Sequence, residues 1–134
     1  MRVMLDTNVL LSVLLFPSER MNGMMRCIFE EHRLVLSSFV AEELSLVVER
    51  KFPAKAAVVD QLLSAMSYEF VYTPQTMDRE RFAIRDSKDY PVLYTAMLED
   101  VDILITGDKD FADVKVERPE ILSPAEFIRR FVIR

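Results

Sequence analysis

MLDTNVLL, residues 4–11, sets one carboxylate inside a run of apolar residues, and the reading of that carboxylate decides the fold. The run RVML at 2–5 is a short aliphatic strand pattern, so Asp6 falls where the strand ends. An ionised carboxylate is costly to bury without a partner. The partners of Asp6 therefore have to come from other segments of the chain.

Three further runs resemble strands: RLVLS at 33–37, YEFVY at 68–72 and DILIT at 102–106. Between them lie segments with helical spacing: Met21, Met24, Met25 and Ile28; Val40, Leu44, Val47 and Val48; Val58, Leu62, Leu63 and Met66; Val92, Leu93, Ala96 and Met97. A last helix is predicted from about Pro124 to Phe131. Strands that alternate with helices predict a three-layer α/β/α fold, with a central parallel sheet of four to five strands. With 134 residues, 51% of them hydrophobic, and only two glycines, the whole chain is expected to form one domain.

Composition narrows the chemistry. Cys27 is the only cysteine and His32 the only histidine, so neither an internal disulfide framework nor a Cys/His zinc cage is available. A histidine-pair acid–base mechanism is excluded for the same reason, and His32 is expected to be a surface turn residue. No basic leader and no apolar run of membrane-spanning length is present, which predicts a cytoplasmic protein. The formal net charge of −5 argues against broad attraction to nucleic acid.

Ligands of open parallel α/β sheets bind outside the carboxyl ends of the strands. Asp6 follows the first strand, and Asp108, in ILITGDKDF, follows the strand at 102–106. On a helical wheel of 100° per residue, Glu43 lies at the edge of the buried stripe of its helix, whereas Glu42 points to water. Asp89 falls within the apolar stripe of the helix that it begins, where capping is the competing role. Two unit charges 4 Å apart repel by about 4 kcal/mol at an effective dielectric near 20. Several such pairs call for wider spacing, protonation or a cation. With oxygen ligands alone, that cation should be Mg²⁺ or Mn²⁺.

LDTNVLLS at 5–12, SSFVAEEL at 37–44, RDSKDYPVLYTAM at 85–97 and ITGDKDF at 105–111 resemble, in that order, the motifs of the PIN-domain nucleases. The resemblance is strongest to small VapC-like toxins of type II toxin–antitoxin pairs. It implies a metal-dependent ribonuclease holding one or two Mg²⁺ or Mn²⁺ ions, with an antitoxin partner and a homodimer. It assigns the four acidic positions to Asp6, Glu43, Asp89 and Asp108, extra acids to Asp86 and Asp110, and supporting roles to Asn8, Ser38 and Thr106. Ser87 stands where the family commonly has a proline before the lysine. Setting those six acids aside leaves a formal charge of +1, so the acidity is partly the site. Arg85, Lys88 and Lys109 adjoin the acidic motifs as candidate phosphate contacts, with ordinary solvated or carboxylate-paired roles as the alternative.

Two other readings stay open at this level. An aspartyl-phosphate-forming, Mg²⁺-dependent phosphatase would use Asp6 as nucleophile and Gly107-Asp108 for metal. It would want an acid two residues after Asp6, where this chain has Asn8, and it leaves Glu43 and Asp89 without roles. A non-catalytic RNA- or protein-binding module of PIN type is the other. The Met21, Met24, Met25, Ile28 stripe is expected to be core, with a flexible partner surface as its alternative.

Overall fold

The computed structural model describes residues 1–133. β1 (Arg2–Leu5) buries Val3, Met4 and Leu5 and passes directly into α1 (Thr7–Leu15), with Asp6 as the only residue between them. The chain continues through α2 (Glu19–Glu31), β2 (Arg33–Ser37), α3 (Ser38–Lys51), α4 (Ala56–Ala65) and β3 (Glu69–Val71). After a long irregular segment come α5 (Tyr90–Leu98), β4 (Ile103–Ile105), β5 (Glu120–Leu122) and α6 (Pro124–Phe127), which runs on into a wider turn over Ile128–Val132.

All four strand pairings are parallel, in the order β3-β2-β1-β4-β5. The expected three-layer α/β/α architecture is present, with five strands. From β1 the chain fills one side of the sheet with β2 and β3, then returns to the other side of β1 with β4 and β5. The direction of strand order therefore reverses between β1 and β4, and a crevice opens outside the carboxyl ends of strands at such a switch point. Leu5 and Ile105 are partners in register, so Asp6 and Thr106, the next residues, emerge side by side at that crevice.

Two elements lie outside the sequence expectations. α1 carries apolar residues on nearly every side, so its run lacks the 3.6-residue contrast that marks a surface helix. β5 has three residues, too few for an alternation. In α4 the expected stripe is corrected: Val59 is the buried residue, with Ala56, Leu63 and Met66 packed against the core, whereas Val58 and Leu62 are exposed. The true face follows the spacing 56-59-63-66, one residue around the helix from the predicted one.

Met24, Met25 and Ile28 are core residues, and Met21 packs against them. His32 is corrected from surface turn to packed residue: it ends α2 half-buried, edge-on to the rings of Phe127 and Phe131 at 6.1 and 5.8 Å. No helix among the described residues is long and apolar enough to cross a membrane.

Candidate active site

The two ends of the sheet treat their acids differently. At the amino end, Glu69 is paired with Arg2 at 2.7 Å, and Asp102 accepts the Arg2 backbone N–H at 2.8 Å and also pairs with Arg118. The Arg2 amide and the Arg118 charge hold the Asp102 carboxyl below its usual range. At the carboxyl end the acids face one another.

Asp6 is 4% exposed. Its Oδ1 accepts the Thr7 N–H at 2.7 Å and its Oδ2 accepts the Thr106 hydroxyl at 2.8 Å. Burial raises its pKa; those two bonds oppose the rise, and the Glu43 and Asp108 charges add to it. The Thr7 hydroxyl donates to Glu43 Oε1, and the Asp108 N–H donates to Thr106 Oγ1 at 3.1 Å. Glu43, Thr7, Asp6, Thr106 and Asp108 are thus joined in one chain of contacts across α3, α1, β1 and the end of β4. Glu43 is half-buried and Glu42 exposed, as the wheel predicts. Thr7 is a residue that sequence reasoning missed. What could have found it is its place as the first helical residue after a buried acid, where both its N–H and its hydroxyl are free to serve neighbours.

Asp89 precedes α5, but its side chain makes no capping bond, which removes the competing capping role. Asp86 instead caps the short 3-10 turn over Ser87–Asp89 that leads into α5, accepting the Lys88 N–H at 2.9 Å. Asp89 Oδ2 is buried and is the one such side-chain oxygen among the described residues that no hydrogen-bond donor reaches. Burial comes first in raising the Asp89 carboxyl to about 7; the adjoining Asp108 carboxyl, then Asp6 and Asp86, raise it further. One carboxylate oxygen each from Asp86, Asp89 and Asp110 lie within 4.8 Å of one another. Asp108 Oδ1 meanwhile accepts the Asp110 N–H at 2.8 Å, which holds the two acids of the ITGDKDF segment in a fixed relation.

This donor set fits a hard divalent cation. A buried carboxylate oxygen without a donor is satisfied by a proton shared with a neighbouring acid or by a cation, and the side chains grouped with it, Asp86 and Asp110, offer oxygen. Asp86, Asp89 and Asp110 are grouped closely enough to share one ion, with Asp108, Asp6 and Glu43 in the adjoining chain.

The remaining sequence candidates are placed as follows. Ser37 caps α3, whereas Ser38 accepts the Thr73 N–H at 2.9 Å and so ties the end of β3 to the start of α3. Asn8 is exposed on α1. Arg85 pairs with Asp113 at 2.7 Å and approaches Asp110 at 3.9 Å, the carboxylate-paired role. Lys88 and Lys109 are exposed beside the acids.

A parallel α/β domain whose acids converge at its topological switch is the class that fold and site define. The chain matches the PIN domain family over residues 2–110, most of its length, and belongs to that family of nucleases. It is similar in structure to VapBC2 from Rickettsia felis, solved bound to a DNA fragment from their promoter. The TM-score is 0.70 at 15% identity, covering 92% of this chain and 98% of that one. It is also similar to Mycobacterium tuberculosis VapC20, a sarcin–ricin loop cleaving toxin, with a TM-score of 0.57 at 14% identity, covering 82% of this chain and 92% of that one. At these identities the likeness is one of fold. No curated protein matches the chain in sequence.

Proposed function

We propose that this protein is a Mg²⁺- or Mn²⁺-dependent endoribonuclease and the toxin of a type II toxin–antitoxin pair, acting on cytoplasmic RNA as a homodimer held in check by a cognate antitoxin. The observation that carries the nuclease reading is Asp89 Oδ2, buried without a donor among Asp86, Asp108 and Asp110. The partner reading rests on the kind of protein that shares the fold: VapBC2 and a toxin that cleaves the sarcin–ricin loop.

Asp86, Asp89 and Asp110 would hold the ion, with Asp6, Glu43 and Asp108 beside it. A bound divalent ion lowers the pKa of water and neutralises charge on a phosphodiester. The chain itself contributes position. Thr7 and Thr106 fix both oxygens of Asp6, and Thr7 turns Glu43 toward the same crevice. With its pKa raised to about 7, Asp89 holds a proton below neutral pH when no cation is bound, and a cation would compete with that proton. Asn8, exposed on α1, leaves no second acid where an aspartyl-phosphate-forming phosphatase would want one.

Three outcomes follow. Protein stripped with chelator should leave labelled RNA intact and cut it when Mn²⁺ is added back; equal cutting in excess chelator would refute metal dependence. Mn²⁺ at about a hundred times its Kd should stabilise the fold by about 2.7 kcal/mol in thermal melts, and Asp110→Asn should abolish most of that gain. Thr7→Val removes the hydroxyl that faces Glu43 while keeping the shape of the side chain. It should lower the cutting rate about tenfold with an unchanged circular-dichroism spectrum.

A further inference from the structure

Four of the site acids sit on two turns, each fixed from within. In the turn that leads into α5, Asp86 Oδ1 accepts the Lys88 N–H at 2.9 Å and the Asp86 carbonyl accepts the Asp89 N–H at 3.0 Å. In the turn after β4, Asp108 Oδ1 accepts the Asp110 N–H at 2.8 Å and the Asp108 carbonyl accepts the Phe111 N–H at 3.3 Å. No backbone hydrogen bond among the described residues joins one turn to the other. Yet the grouped oxygens of Asp86, Asp89 and Asp110 come from both.

Arg85 crosses between the turns. It directly precedes Asp86, and among the described residues it is the one cation that pairs with any acid of the site. Its Nη2 donates to Asp113 Oδ2 at 2.7 Å, whereas its Nε lies 3.9 Å from Asp110 Oδ1, beyond hydrogen-bond reach. Asp113 lies outside the group that could share an ion. The guanidinium therefore rests on an acid that the site does not use, just short of one that it does.

The two partners differ in shelter. The Asp113 side chain is 83% exposed and that of Asp110 28% exposed, so a pair with Asp110 would be the less screened. Asp113 is the opposing partner that keeps Arg85 from closing onto Asp110. A guanidinium on Asp110 would take up a ligand oxygen and set a positive charge beside an incoming ion.

We propose that Asp113 is a positioning residue for the metal site: it parks Arg85 away from Asp110 and so sets how tightly the site takes a divalent cation. The proposal rests on the metal-dependent reading and adds to it a residue outside the ligand set and a competitor within the chain. Loss of Asp113 acts on a nearby cation in two ways. Its own negative charge goes, whatever stands at position 85, and Arg85 is released, which matters only while Arg85 is there. A double-mutant cycle separates the two.

The test uses the full chain in 0.15 M salt, where exposed charges more than about 8 Å apart are largely screened. The probe is Mn²⁺ alone, with the free ion read by electron paramagnetic resonance. Asp113→Ala should raise the Kd about fivefold in the otherwise wild-type chain, and by less than about twofold in a chain carrying Arg85→Gln. Arg85→Gln by itself should bind Mn²⁺ at least as tightly as the wild type. Asp113→Glu, which keeps the carboxylate, should hold the Kd within about twofold of the wild type. Equal loss in both backgrounds, or no loss in either, overturns the proposal and leaves the ribonuclease reading standing. So does weaker binding by Arg85→Gln alone, which would make Arg85 a brace between the turns. A wild-type chain that binds no Mn²⁺ removes the metal-dependent reading and this proposal with it.

Discussion

Asp6→Asn should reduce RNA cutting about a thousandfold while the protein stays folded. The magnitude follows from what the carboxylate does for charge: loss of several kcal/mol of electrostatic stabilisation at a phosphate corresponds to about two to three decades in rate. The fold should survive because the substitution keeps the shape at a position where shape matters. Asn Oδ1 can still accept the Thr7 N–H, and the Thr106 hydroxyl can turn from donating to accepting. Removing a buried negative charge beside Glu43 and Asp108 also relieves repulsion. Far-UV circular dichroism and a Tm at or above that of the wild type in chelator would accompany the lost activity. Cutting at the wild-type rate would remove Asp6 from the chemistry.

Asp89→Asn should stabilise the metal-free protein above neutral pH and abolish its activity. The folded-state pKa of Asp89, about 7, lies above the ordinary value of 3.8, so the native state holds a proton that the unfolded chain releases. Stability therefore falls as pH rises from about 4 to about 7, and the deficit is complete above 7. Asparagine carries no such linkage. In chelator the variant should melt higher than the wild type at pH 8, by about 1–2 kcal/mol once solvent screening of a partly open group is allowed for, and the gap should close toward pH 4. Added Mn²⁺ should raise the wild type and not the variant, reversing their order. Thermal melts across pH, with and without Mn²⁺, read both effects. A variant less stable than the wild type at pH 8 in chelator would mean that the carboxylate is satisfied as it stands.

Much of this was legible in the chain, for physical reasons that differ by residue. The strands at 2–5 and 33–37 are found at those bounds because buried parallel strands are dense in Val, Leu and Ile. Glu43 could be told from Glu42 because a helix fixes which side chains share a face. Asp89 lay in the stripe of its own helix, and that helix proved buried on all sides from Tyr90 to Ala96. α1 was hidden by the same property: an apolar run without contrast has no period to read.

Roles that depend on tertiary approach were harder to find. Thr7 is marked in the sequence only by its place directly after Asp6, since its bond to Glu43 exists only once α1 and α3 meet. Ser37 and Ser38 are adjacent and chemically alike, and only backbone placement makes one a helix cap and the other the anchor of Thr73. The grouping of Asp86 with Asp89 and Asp110 likewise joins a loop to the end of β4, which spacing along the chain does not encode.

The central claim is that these acids direct water onto an RNA phosphodiester. The most direct measurement is mass spectrometry of the products of RNA cut with Mn²⁺ in ¹⁸O-labelled water. One labelled oxygen in the single phosphate left by each cut, with an unlabelled hydroxyl on the other new end, is the predicted result. Chain ends carrying an unlabelled cyclic phosphate would show that the RNA's own hydroxyl attacks, and would contradict the account.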